Sequence, residues 1–148
     1  MSVAITSTAA GVVDGGDTGG TDIQAGAVTI DAKTGVGSVG ANGAIDTTIT
    51  SLDLDNDTSG NVDINETNAL TINKIDQDGP GTVNVDAGGT ITVAGPVTAT
   101  TGNVELDANG GTSSIVVNAP VTTDDGAVTA GGGDISLLAD DDVTFSAA

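Results

Sequence analysis

Three aspartates alternate in Asp53-Leu-Asp55-Asn-Asp57-Thr-Ser-Gly60, and Asp76-Gln-Asp78-Gly79 repeats the style further along. On a short loop such alternation turns several carboxylate oxygens to one side, the donor set that a hard divalent cation takes. Asp53, Asp55, Asp57, Asp76 and Asp78 are therefore the expected metal ligands, with Ca2+ as the cofactor. The phrase is not an EF-hand, because its sixth position is Thr58 rather than Gly and no Glu stands at the twelfth. The competing reading makes Leu54 a buried strand residue, with Asp53 and Asp55 facing water on either side of it. Asp124-Asp125 and Asp140-Asp141-Asp142 have the look of turn aspartates, which bond their own backbone.

Little other chemistry is available to the chain. Its 148 residues hold 21 Asp and Glu against two cations, Lys33 and Lys74, for a net charge of −19. His and Cys are both absent, which removes the imidazole base, the thiol nucleophile and the usual zinc site. Two lysines cannot neutralise a run of phosphates, so nucleic acid is excluded as a partner. Two carboxylates alone can hydrolyse a glycoside. With this many Asp residues, though, some pair at the right distance is inevitable, and aromatics that clamp a sugar are lacking. A non-catalytic protein is expected. No run of about 18 apolar residues exists, so membrane insertion is not expected either. The opening MSVAITSTAAGVV has no basic n-region of a secretory signal.

The elements that must carry these acids show themselves as a repeat. Gly60-NVDINE, Gly81-TVNVDA and Gly102-NVELDA begin 21 residues apart. Gly26-AVTIDA, Gly43-AIDTTI and Gly133-DISLLA read as further copies, giving successive spacings of 17, 17, 21, 21 and 31. Within the units, apolar residues come in alternating pairs, the period of a strand with one buried face. The pairs are Val28/Ile30, Val62/Ile64, Leu70/Ile72, Val83/Val85, Ile91/Val93, Val104/Leu106, Ile115/Val117, Ile135/Leu137 and Val143/Phe145. From first pair to second the gap is 6 residues in three units (64 to 70, 85 to 91, 137 to 143). A β-sandwich does not require such a return, whereas one coil of a solenoid does. The expectation is an all-β fold, a parallel β-solenoid of about six coils of 17–31 residues. Those nine pairs form its core ladders, and the usual crossover bias makes it right-handed.

The phrases TGNVELDANGG, AGPVTATTGNVELDA and GGGDISLLADDDVTFSAA resemble repeats of filamentous-haemagglutinin-type adhesins and other giant bacterial surface proteins, over roughly residues 26–148. That resemblance implies a right-handed parallel β-helix, exported to the cell surface or beyond, and used as a stalk, adhesin or matrix fibre. The chain departs from the family in lacking its N-terminal secretion-recognition domain.

Two outward columns follow from the repeat: Asp63, Asn84 and Glu105 in one, Asn65, Asp86 and Asp107 in the next. Carboxylates stacked about 5 Å apart repel by something on the order of a kcal/mol per contact, and interleaved Asn relieves this. The plain reading is a solvated acidic face that resists lateral aggregation.

Residues 1–25 read as a strand segment (Val3/Ile5) and a Gly/Asp-rich loop, and 26–148 as the solenoid proper. Neither end carries a recognisable cap. Val3 and Ile5 at one end and Val143 and Phe145 at the other are thus expected to meet between copies, giving a head-to-tail homopolymer. The functional expectation is an extracellular or cell-surface structural protein, a filament or matrix element. The alternative is a calcium-dependent adhesin module that binds a host or matrix ligand through the insertions at 107–114 and 122–133.

Overall fold

In the computed structural model, which describes residues 1–16, 19–38, 42–123 and 132–146, the chain is a parallel β-solenoid of about five turns, with no helix among the described residues. Wall A stacks β1 (Ser2–Ser7), β3 (Ala27–Ala32), β5 (Ser51–Asn56), β7 (Leu70–Gln77), β9 (Ile91–Val93), β12 (Ile115–Val117) and β15 (Val143–Phe145). Beside them β10 (Val97–Ala99) rests on β7, and β13 (Val121–Thr122) on β10. Wall B stacks β2 (Ile23–Gln24), β4 (Ile45–Thr48), β6 (Val62–Glu66), β8 (Val83–Ala87), β11 (Val104–Ala108) and β14 (Ile135–Ala139). Every pairing is parallel.

Register turns the alternating pairs into columns. One inward column of wall A runs Val3–Val28–Leu52–Ile72–Val93–Val117–Phe145. In wall B, Ile45–Ile64–Val85–Leu106–Leu137 is its counterpart. The middle layers are dry: Ile30, Leu54, Ile64, Ile72, Val85, Ile91 and Leu106 are fully buried. Each such side chain contributes about 1.5–3 kcal/mol of burial free energy. Large aromatics are not needed, because the column is narrow and β-branched and Leu side chains fill it.

The glycine that opens each unit is a packing requirement. A Cβ on Gly81 would strike the carbonyl of Gly60, one on Gly102 that of Gly81, and one on Gly133 that of Gly102. The turns lie directly on one another at that corner, and only glycine lets their backbones approach so closely.

Three expectations change. Gly26-AVTIDA is not a copy of the wall B phrase, since it forms β3 in wall A, between β1 and β5. Both walls use a Gly-led, two-residue alternation, so the phrase alone cannot say which wall it builds. The early coils are accordingly longer than 17 residues: Val28 stands over Val3, 25 residues on, and Leu52 over Val28, 24 on. Next, Ile135, Val143 and Phe145 are not core, being 45%, 39% and 69% exposed, while Leu137 is half-buried. They occupy the inward columns, but among the described residues their layer pairs with strands on one side only. Finally, β1 pairs with β3 over its whole length, and Ile23–Gln24 pairs with β4, so the described part of 1–25 is built into the same stack. The other edge of β1 pairs with no strand among the described residues.

Candidate functional site

The acids fall into two groups, one on each wall. On wall A, Asp53 and Asp55 point outward from β5 on either side of buried Leu54. They stand on a strand rather than on the loop that the calcium expectation requires. Asp57 follows the strand. Asp76 is the in-register partner of Asp55 on β7, and Asp78 comes just after that strand. Asn73 is an extra residue in β7, so that Asp53 pairs with Lys74 instead. This β-bulge turns Lys74 into the acids, where its Nζ forms an ion pair with Asp55. Lys33 Nζ donates to Asp57 Oδ2 at 3.5 Å.

The electrostatics follow from those contacts. The hydrogen bond to Asp55 holds the Lys74 ammonium above its ordinary range, reinforced by the charges of Asp55, Asp53 and Asp76 and opposed by burial. Asp76 is also pushed up, first by burial, then by Asp78 and Asp55, with Lys74 pulling the other way. Two of the five expected metal ligands are thus engaged by the chain's own ammonium groups. Among the described residues no group of three or more acidic side chains is arranged to hold a metal ion.

Wall B carries acids without a lysine. Its outward columns are Asp63–Asn84–Glu105–Ser136 and Asp46–Asn65–Asp86–Asp107–Leu138, in the register expected from the repeat. Asn84 Nδ2 donates to Asp63 Oδ1 at 2.9 Å, and Asn65 Nδ2 to Asp46 Oδ1 at 2.7 Å. A shallow pocket of about 260 Å³ lies against the middle of this wall, lined by Thr82, Val83, Asn84, Asp86, Asn103 and Glu105. Burial raises the Asp63 carboxyl, partly offset by its bond from Asn84. Asp86 is raised by burial first, then by Asp107, Asp63 and Glu105, with a side-chain hydrogen bond to Asn84 pulling the other way.

The sequence reading missed the polar residues that face inward. Glu66 is 1% exposed, and its carboxylate accepts from Thr47 Oγ1 (2.7 Å), the Ile49 amide (2.9 Å) and the Asn68 amide (2.9 Å). In wall A, Asn56 and Gln77 are stacked partners in a column that also holds Ala32 and Ala99. Asn56 Oδ1 accepts from the Gly35 amide at 2.7 Å, while its Nδ2 donates to the Ser59 and Gly60 carbonyls, both at 3.1 Å, and to Gln77 Oε1. Gln77 Nε2 donates to the Gly79 carbonyl at 3.0 Å. These amides tie the turn at 57–60 to the interior. The signal was present: Glu66 keeps the phase of Val62 and Ile64, and Asn56 that of Leu52 and Leu54.

Of the two insertions, 107–114 is knitted into the stack. Asn109 donates its amide to Ala87, Gly111 its amide to Asp140, and Ser113 accepts from Asp141. In 122–133, residues 124–131 lie outside the described residues, and Asp124 and Asp125 with them. No helix among the described residues is long and apolar enough to cross a membrane. Comparison with protein-family models, with curated proteins and with solved structures finds no match to this chain.

Proposed function

We propose that the chain is a non-catalytic structural segment of an extracellular filament or matrix, related in kind to adhesin stalks, that extends by stacking one solenoid end on another. The observation that carries this reading is the state of the last layer. Phe145 and Ile135 continue the inward columns but are uncovered, and one more coil over β14 and β15 would bury them. The strands that would meet in a head-to-tail contact, β1 and β2 against β14 and β15, contain no charged residue. A molecule with a net charge of −19 can therefore join ends without setting strand carboxylate on strand carboxylate. Such a contact is heterologous and does not close, so it propagates. The resemblance of the repeats to exported adhesins supports the extracellular setting.

The test is electron microscopy of the purified chain over a range of concentrations, with calcium and with chelator. Filaments one solenoid wide are expected, and Phe145→Asp should shorten them by placing a charge in the joint. Filaments that need calcium would bring the aspartates of wall A back as ligands. Discrete short rods at every concentration, in calcium and chelator alike, would overturn the reading.

A further inference from the structure

We propose that Asn65 on wall B is an N-glycosylation site, and that the first sugar it carries lies over the polar pocket beside it. The proposal rests on the extracellular setting argued above and is independent of end-to-end stacking.

The phrase Asn-x-Ser/Thr, with any residue but Pro in the middle, is the acceptor signal for an N-linked sugar. It occurs as Asn56-Asp-Thr58 and as Asn65-Glu-Thr67. The fold treats the two in opposite ways. Asn56 is 1% exposed, and its Nδ2 donates to the Ser59 and Gly60 carbonyls and to Gln77 Oε1. An amide nitrogen has two hydrogens, so a sugar at Asn56 would break core bonds and find no space. Asn65 is exposed and faces outward from β6. Its Nδ2 gives one hydrogen to Asp46 Oδ1, at 2.7 Å. A sugar replaces the other hydrogen, so the bond to Asp46 survives the modification. Thr67 is exposed as well, while Glu66 between them points into the core. Both residues that carry the signal thus share the outer face.

The transfer needs a glycosyltransferase and a sugar whose anomeric carbon bears a phosphate or diphosphate. Asn65 Nδ2 attacks that carbon, and the C–N bond forms as the C–O bond to phosphate breaks. The phosphate leaves with the electron pair, and one amide proton passes to the enzyme's base. In the folded chain β6 is paired on both edges, with β4 and β8. Transfer therefore takes place on the extended chain, before this coil closes. A chain that receives sugar at Asn56 cannot tie its turn at 57–60 to the interior, so the folded protein carries sugar at Asn65 alone.

The neighbouring layer receives the sugar. Asp86 is the in-register partner of Asn65 on β8, about 4.8 Å on. With Asn84, Asn103 and Glu105 it lines the shallow pocket of about 260 Å³. Sugar hydroxyls donate to carboxylates, and side-chain amides both donate and accept. The lining therefore suits an uncharged polyhydroxylated ring, on a wall whose acids have no lysine beside them.

The test is glycopeptide mass spectrometry of the chain isolated from the cells that make it and from their medium, with proton NMR of the glycosylated form. Sugar is expected on the peptide that holds Asn65 and not on the one that holds Asn56. It should vanish in Asn65→Gln and in Thr67→Val, the second of which keeps Asn65 and its bond to Asp46. The first sugar should show proton contacts to Thr82 and Asn84; a sugar that tumbles freely would overturn its seat in the pocket. Folded chain bearing sugar at Asn56 would overturn the argument from burial. Chain found outside the cell with a bare Asn65 would overturn the site and leave the filament reading standing. Chain confined to the cell with a bare Asn65 would overturn both, and confined chain with a glycosylated Asn65 would overturn the extracellular setting alone.

Discussion

The two walls hold negative charge by different means. Wall A brings the chain's two ammonium groups to its acids, Lys74 on Asp55 and Lys33 on Asp57. Wall B has no cation and uses hydrogen-bond donors instead: amides outside for Asp63 and Asp46, a hydroxyl and two backbone amides inside for Glu66. A counterion on an exposed strand is screened by salt and flexible in position. A donor fixed by strand register costs nothing to reposition, but its loss leaves a buried group unpaired. Donor-held charge should therefore be the costlier to disturb, and counterion-held charge the more sensitive to ionic strength.

The sharpest break in that comparison is Glu66→Ala. The layers above already carry Ala87 and Ala108 in the same column, so alanine suits the wall in size. The cost lies in the donors left behind, the Thr47 hydroxyl and the Ile49 and Asn68 amides, at about 1–3 kcal/mol for each buried group without a partner. A loss of roughly 3 kcal/mol or more is expected in denaturant unfolding. Glu66→Gln keeps one acceptor oxygen and should fall between. A neutral result for Glu66→Ala would mean that water replaces the carboxylate, and wall B would lose its claim to fixed donors.

Lys74→Met asks the converse question of wall A. It keeps the side chain's apolar stem and removes the charge beside Asp53, Asp55 and Asp76. Being half-exposed, the pair is worth at most about 1 kcal/mol. The expected loss is of that size in dilute buffer and vanishes in about 1 M salt, where the Debye length is about 3 Å. A loss that persists in high salt would show that the β-bulge at Asn73, rather than charge, is what Lys74 supports.

Much of this architecture was legible in the sequence. The return of Val83/Val85 as Val104/Leu106, 21 residues on, fixed the stacking partner, and the outward order Asp63–Asn84–Glu105 came with it. What escaped has definite physical causes. β3 and β6 carry the same Gly-led alternation although they belong to different walls, and wall membership depends on turn lengths that the phrase does not encode. Glu66, Asn56 and Gln77 keep the apolar phase, yet a polar residue at the end of a pair reads as the start of a turn. Their burial is acceptable only because donors and acceptors from the following turn and from other layers meet them, and those partners lie 2 to 21 residues away in sequence. The bulge at Asn73 left no mark either, since Thr71-Ile72-Asn73-Lys74-Ile75 breaks the alternation in a way that also suits a strand end.

The smallest effect expected, and the most discriminating between the walls, comes from Asp107→Lys. It places an ammonium over Asp86, in the way that Lys74 meets the acids of wall A, and so converts one wall's device into the other's. An opposite-charge pair directly across two strands contributes about 0.2–1 kcal/mol. Glu105 and Asp63 lie close enough to add to the attraction, as their effect on Asp86 indicates. A small gain in unfolding free energy is expected at pH 7, and it should shrink with added salt, unlike the salt-insensitive penalty of Glu66→Ala. The gain should also fade as the pH falls and the carboxylate that the lysine pairs with takes up a proton. If Asp107→Lys is stabilising to the same degree at every ionic strength, desolvation rather than charge governs the outer columns. The contrast between counterion and donor would then apply to the interior alone.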